Sequence, residues 1–183
     1  MHLRFSTCAG TPVVDEESSE TLGTVEGIVL HPDTGKVEGF AVRVRGFLTG
    51  TIRYLPSQDI VRWGTRAWVR DPQAVSDLDD LVRLREVIER GRPVLGQSIR
   101  TESGRELGRC RDVQFDTLHF LAEWLFPRKW GTWGTAIPIS QVVEVRADAV
   151  IVRDQAAPAK EQAPVSPLPA ILEGLEGAAP EPA

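Results

Sequence analysis

Apolar residues along most of this chain recur in two steps. In Phe40-Ala41-Val42-Arg43-Val44-Arg45 they alternate with small or charged residues, the period of a half-buried strand. Turn signals punctuate the runs. Asp33-Thr34-Gly35-Lys36 and Glu102-Ser103-Gly104-Arg105 each place glycine where a hairpin needs positive φ. Short strands separated by turns at intervals of roughly 8–12 residues predict a mainly β protein of barrel or sandwich type. One segment has a different period. Leu78, Leu81, Leu84 (or Arg85) and Ile88 recur at three- and four-residue spacing, so one helix is predicted over residues 76–91. Ser76 is its expected N-cap, Asp77, Asp79 and Asp80 suit its positive end, and Gly91 before Pro93 is placed to stop it.

An internal repeat organises the strands. Thr11-Pro12-Val13-Val14 and then Leu22-Gly23-Thr24-Val25 are echoed by Gly96-Gln97-Ser98-Ile99 and then Leu107-Gly108-Arg109-Cys110. Beyond the Leu-Gly steps, Val25 matches Cys110, Ile28 matches Val113 and Leu30 matches Phe115. Each copy continues to a proline before an apolar stretch, at Leu55-Pro56 with Ile60-Val61 and at Ile137-Pro138 with Val142-Val143. Each closes on Val-Arg-Asp, at Val69-Arg70-Asp71 and Val152-Arg153-Asp154. The expected organisation is a first β unit at 1–73, a linker helix at 74–92, a second β unit at 93–154 and a tail at 155–183. A unit this small avoids exposed strand edges by closing into a barrel, and each is expected to be antiparallel with five or six strands.

The tail changes composition, to Ala, Pro and Glu with few aromatics, so it is expected to be disordered. Within it, Leu168, Ile171, Leu172 and Leu175 stand at i, i+3, i+4 and i+7. They are either a short docking helix, for a partner or for the second barrel, or a chance cluster.

The run Gly10-Thr11-Pro12-Val13-Val14-Asp15, the Leu22-Gly23-Thr24-Val25 step, the Asp33-to-Val37 turn and Leu55-Pro56 with Ile60-Val61 resemble the PRC-barrel. Residues 94–154 resemble it more loosely. That family includes the cytoplasmic domain of the photosynthetic reaction-centre H subunit and the C-terminal domain of the ribosome maturation factor RimM. The resemblance implies a six-stranded barrel-like fold serving protein–protein or protein–RNP contacts, without catalysis. The second copy departs from the pattern at Asp116-Thr117-Leu118-His119-Phe120, which lacks the turn glycine.

Chemistry is sparse. The three histidines, His2, His31 and His119, have no third ligand at a useful spacing, so no metal site is expected. Cys8 and Cys110 match no disulfide framework and are expected as buried apolar residues. Nucleophile elbows, phosphate loops and dinucleotide fingerprints are absent from the sequence, so neither a catalytic residue nor a cofactor is expected. There is no long apolar run, so no membrane span is expected and a cytoplasmic location is the default.

The distinctive segment is Trp124-Leu125-Phe126-Pro127-Arg128-Lys129-Trp130-Gly131-Thr132-Trp133-Gly134. Its first part reads as a strand, with Trp124 and Phe126 on one face, and residues 127–134 read as an elaborated loop. Trp124, Phe126, Arg128, Lys129, Trp130 and Trp133 are the candidate binding residues, because rigid aromatics beside cations are what interface hot spots use. The alternative is a plug, with Trp130 and Trp133 folded onto a barrel end or onto Trp63 or Trp68. Three functions remain open: an adaptor or assembly protein touching another protein or a multiprotein (including membrane-bound) complex, an RNA or ribonucleoprotein module, or a self-associating structural protein. The net charge of −5 favours the first over RNA.

Overall fold

The computed structural model describes residues 1–45 and 50–154. Residues 46–49 and the tail from 155, with Leu168, Ile171, Leu172 and Leu175, lie outside them. The described chain is mainly β. In order it runs β1 (His2–Arg4), α1 (Phe5–Cys8), β2 (Pro12–Asp15), β3 (Thr21–Leu30), β4 (Val37–Val44), β5 (Thr51–Pro56), β6 (Ile60–Trp63) and β7 (Ala67–Val69). There follow α2 (Val82–Glu89), β8 (Ser98–Thr101), β9 (Glu106–Asp116), β10 (Leu121–Lys129), β11 (Thr132–Trp133), β12 (Ile137–Pro138), β13 (Val142–Val145) and β14 (Ala149–Val152).

The strands form two sheets. The first runs β5-β4-β3-β2-β7-β6 and the second β11-β10-β9-β8-β14-β13, with β1 added on β9 and β12 on β10. The registers correspond: Val13 faces Gly23 as Ile99 faces Gly108, and Ile28 faces Phe40 as Val113 faces Leu125. Two expectations are corrected. Neither pairing path closes on itself among the described residues, so the units are open sheets rather than closed barrels. Nor are they wholly antiparallel, since β2 pairs with β7, and β8 with β14, in parallel. Short 3-10 turns at Ser57–Asp59 and Ile139–Gln141 carry the chain out of the antiparallel ladder, and their prolines at 56 and 138 supply the extended entry.

The Leu-Gly steps have a steric reason. A Cβ on Gly23 would stand 2.6 Å from the Arg43 carbonyl oxygen, and one on Gly108 would stand 2.8 Å from that of Arg128. Each glycine lets the neighbouring strand cross close over β3 or β9.

The helix is shorter than its sequence pattern predicts. A 3-10 turn at Leu78–Asp80 is separated from α2 by Leu81, whose φ −113° and ψ 72° are non-helical. Ser76 is not the N-cap: its backbone exchanges hydrogen bonds with Tyr54 of β5 (2.8 and 3.0 Å), which keeps it extended. The buried face is Leu84 and Val87, while Ile88 points outward. Gly91, at φ +63°, ends the helix as expected.

The two sheets bury one continuous apolar core. Phe40 and Trp63 of the first sheet meet Phe115 and Phe120 of the second, with ring centroids 5.9–6.3 Å apart. The backbones also cross-link reciprocally. Val37 donates to the Phe120 carbonyl (2.7 Å) and Ala122 donates to that of Gly35 (2.9 Å). Because Val37 and Ala122 hold equivalent register positions, this contact has the form of an isologous two-fold interface within one chain. The second turn manages without glycine by setting Phe120 itself at φ +53°, its ring fixed in the aromatic cluster.

The N-terminus belongs to the second sheet. β1 pairs antiparallel with Gln114–Asp116, and the buried Asp112 carboxylate accepts from Ser6 N (3.0 Å), Ser6 Oγ (2.6 Å) and Val113 N (2.9 Å). A further junction is Arg92, which donates twice to Asp33 at 2.8 Å and once to the Val145 carbonyl (3.3 Å).

Hydrogen bonds hold several carboxylates below their usual range: Asp15 through Ser18, Asp33 through Arg92, Asp116 first through the Leu118 amide and Asp154 through Ser103. A folded-state pKa below the unfolded one stabilises above the unfolded value, near pH 4, and that contribution vanishes as pH falls. Asp59 acts in the opposite sense, raised by burial and by Asp71. The four outweigh the one, so the melting temperature is expected to fall between pH 5 and pH 3. Thermal melts of Asp33→Asn should show a shallower fall than wild type, and an unchanged slope would contradict this assignment.

Candidate binding surface

Residues 127–134 form a hairpin rather than a loop. β10 continues to Lys129 and turns back at Trp130-Gly131, and β11 pairs Thr132 with Lys129 and Trp133 with Arg128. Trp130 at φ +49° and Gly131 at φ +85° give the two positive dihedrals of a type I′ turn. Pro127 sits at a register shift between β9 and β10, where a missing amide costs the ladder little.

The six candidate residues separate into two groups. Leu125 points into the core, while Trp124 and Phe126 lie on the opposite face. Trp124 is half-buried between Gln114 and Pro138, and Phe126 is buried beneath the Arg4 guanidinium, 3.9 Å from its ring. Both are structural. Arg128, Lys129, Trp130 and Trp133 form the hairpin tip. Trp130 is 95% exposed and Trp133 51%, so neither plugs the fold. Trp63 lies instead in the aromatic core, and Trp68 stacks under Arg62 and Arg66.

Cations frame the two indoles. The Arg128 guanidinium lies 5.4 Å from the Trp133 ring and its Nε donates to the Gly131 carbonyl (2.9 Å). The Lys129 ammonium stands 5.2 Å from the Trp130 ring and donates to the Glu106 carbonyl (3.3 Å). Sequence reasoning missed Arg109, which faces Arg128 across the β9–β10 ladder and extends the basic row. Its outward position follows from the alternation of β9, but its place beside the tip depends on register.

The Trp130 side chain buries almost none of its surface in the fold that carries it. The left-handed region costs a residue with a side chain roughly 1–2 kcal/mol, and Asn or Gly would be the usual occupant of that turn position. The indole recovers none of this by burial.

The histidines are engaged locally. His119 pairs with Asp116 (2.6 Å), His2 with Glu123 (2.8 Å), and His31 accepts from the Asp33 amide (3.2 Å). Among the described residues no three His, Cys, Asp or Glu side chains are grouped to hold a metal ion. Cys8 and Cys110 are buried free thiols. Burial pushes them up to about 11 and about 12. Both are expected to resist Ellman's reagent at pH 8 until the protein is denatured; rapid native labelling of either would contradict their burial.

Residues 2–74 match the PRC-barrel domain family. The PRC-barrel match takes in β1, which nonetheless pairs in the second sheet. PRC-barrel domains are generally non-catalytic binding modules. No curated protein matches the chain. Among the described residues, no helix is long and apolar enough to cross a membrane.

Proposed function

We propose that this protein is a non-enzymatic adaptor or assembly factor of the PRC-barrel type, whose contact with a protein partner is made by the β10–β11 hairpin. The second half is read as a second PRC-type copy. Shared strand order and register support that reading, the β10–β11 hairpin standing where β4 and β5 pair in the first sheet. The observation carrying the function is Trp130, an almost fully exposed indole at a left-handed turn position, with the Lys129 ammonium beside its ring. A side chain that costs the fold stability and buries nothing is retained for something outside the fold.

The test is Trp130→Asn with Trp133→Ala. Asn suits the turn, so the melting temperature is expected to stay within a few degrees of wild type. Affinity capture from the native cells, after mild crosslinking, should recover a discrete protein with wild type and lose it with the variant. Recovery of RNA instead, with binding that falls steeply in salt, would favour the ribonucleoprotein alternative. Recovery of the chain alone from both would favour self-association.

A further inference from the structure

The last described residues lie at the same end of the second sheet as the hairpin. β14 runs parallel to β8, and the Val152 carbonyl accepts from Glu102 N (2.9 Å) at the β8–β9 turn. Asp154 accepts from Ser103 N (3.3 Å) and Ser103 Oγ (2.5 Å) in the same turn. Lys129, at the base of the hairpin tip, reaches the Glu106 carbonyl at the other side of that turn. The start of the C-terminal segment and the aromatic tip therefore share one end of the second sheet. Across that sheet β14 and β10 are three ladder steps apart, about 14 Å at ~4.8 Å per step.

The chemistry of the two is complementary. From Trp124 to Val143 there is no acidic residue, and Arg128, Lys129 and the facing Arg109 surround two exposed indoles. Beyond Asp154 the charges are Glu161, Glu173, Glu176 and Glu181 against Lys160 alone. Leu168, Ile171, Leu172 and Leu175 lie among the acids Glu173 and Glu176. Leu168 lies fourteen residue steps beyond Asp154, a contour of up to ~46 Å at ~3.3 Å each, which is ample for the crossing.

We propose that residues 168–176 of the same chain dock on the β10–β11 hairpin, setting their apolar side chains on Trp130 and Trp133 and their carboxylates against Lys129, Arg128 and Arg109. The segment then competes with any partner for the tip. This inference rests on the hairpin being the contact surface, and it makes the C-terminal segment the regulator of that surface.

Carbodiimide crosslinking of the full-length protein tests it, because the chain has only three lysines, Lys36, Lys129 and Lys160. Peptide mapping is expected to find Lys129 joined to Glu173 or Glu176. In a mixture of unlabelled and ¹⁵N-labelled protein these joined peptides should be of one isotope only. Leu172→Asp with Leu175→Asp should reduce the crosslink at least about tenfold, since two apolar anchors are lost, and should increase Trp130-dependent partner capture. Absence of the Lys129 crosslink, or mixed-isotope crosslinks alone, would overturn docking within the chain. If capture still depends on Trp130 in that case, the adaptor reading survives. A Lys129–Glu173 crosslink without any Trp130-dependent partner would leave the docking standing and sink the adaptor reading.

Discussion

Replacing Phe115 with alanine is expected to destabilise the whole protein, by about 3–5 kcal/mol, with the melting temperature falling by roughly 10 °C. Phe115 is fully buried and its ring meets Phe40, Trp63 and Phe120. Two of those neighbours come from the other sheet, so the cavity opens where the sheets join rather than within one of them. Thermal unfolding followed by near-ultraviolet circular dichroism should show a single transition in both proteins, shifted as a unit. A variant in which part of the signal melts early while the rest keeps the wild-type midpoint would show that the sheets unfold independently.

The second large effect is expected at Asp112. Its carboxylate is buried and holds three donors, two from Ser6 and one from Val113. Asp112→Ala leaves those donors without an acceptor and is expected to cost about 2–3 kcal/mol, whereas Ser6→Ala should cost about 1 kcal/mol. The loss should be local as well as global. Amides of residues 2–8 are expected to exchange hydrogen faster in Asp112→Ala, because β1 and α1 are then held on β9 by the backbone ladder and by packing. Unchanged exchange there, with unchanged stability, would mean that the carboxylate does not anchor the N-terminal segment.

What the sequence disclosed and what it hid divide along a physical line. Features fixed by local chemistry were legible: the strand alternation, the left-handed glycines at 35, 91 and 104, and the burial of Val25, Cys110 and Phe115. The helix is shorter than its spacing predicts because Leu78 and Leu81 keep a helical period while the Tyr54–Ser76 backbone contact, a tertiary matter, holds the chain extended before them. The residues 127–134 looked like a loop because Pro127 and two glycines dominate their composition. Trp at the first position of a type I′ turn breaks the usual residue preference, so its composition does not announce the hairpin. Closure into barrels was an argument from edges, and the structure handles its edges otherwise, by adding β1 to β9 and by bridging Lys36 to Leu121 between the sheets. No propensity encodes such pairings between distant segments.

Of the candidate site, residue types were legible and positions were not. Trp124 and Phe126 shared the composition of the tip but fall on the body of β10, and Arg109 joined it only through register. Exposure separates anchors from scaffold, and exposure is a property of the packed sheet.

The most direct measurement is site-specific photo-crosslinking in the native cells, with p-benzoylphenylalanine placed at position 130 and, as a control, at position 82, another exposed site. A discrete adduct with a second protein is expected from position 130 and none from position 82. No adduct at 130, or the same adducts from both positions, would contradict the assignment of the β10–β11 hairpin as the contact surface.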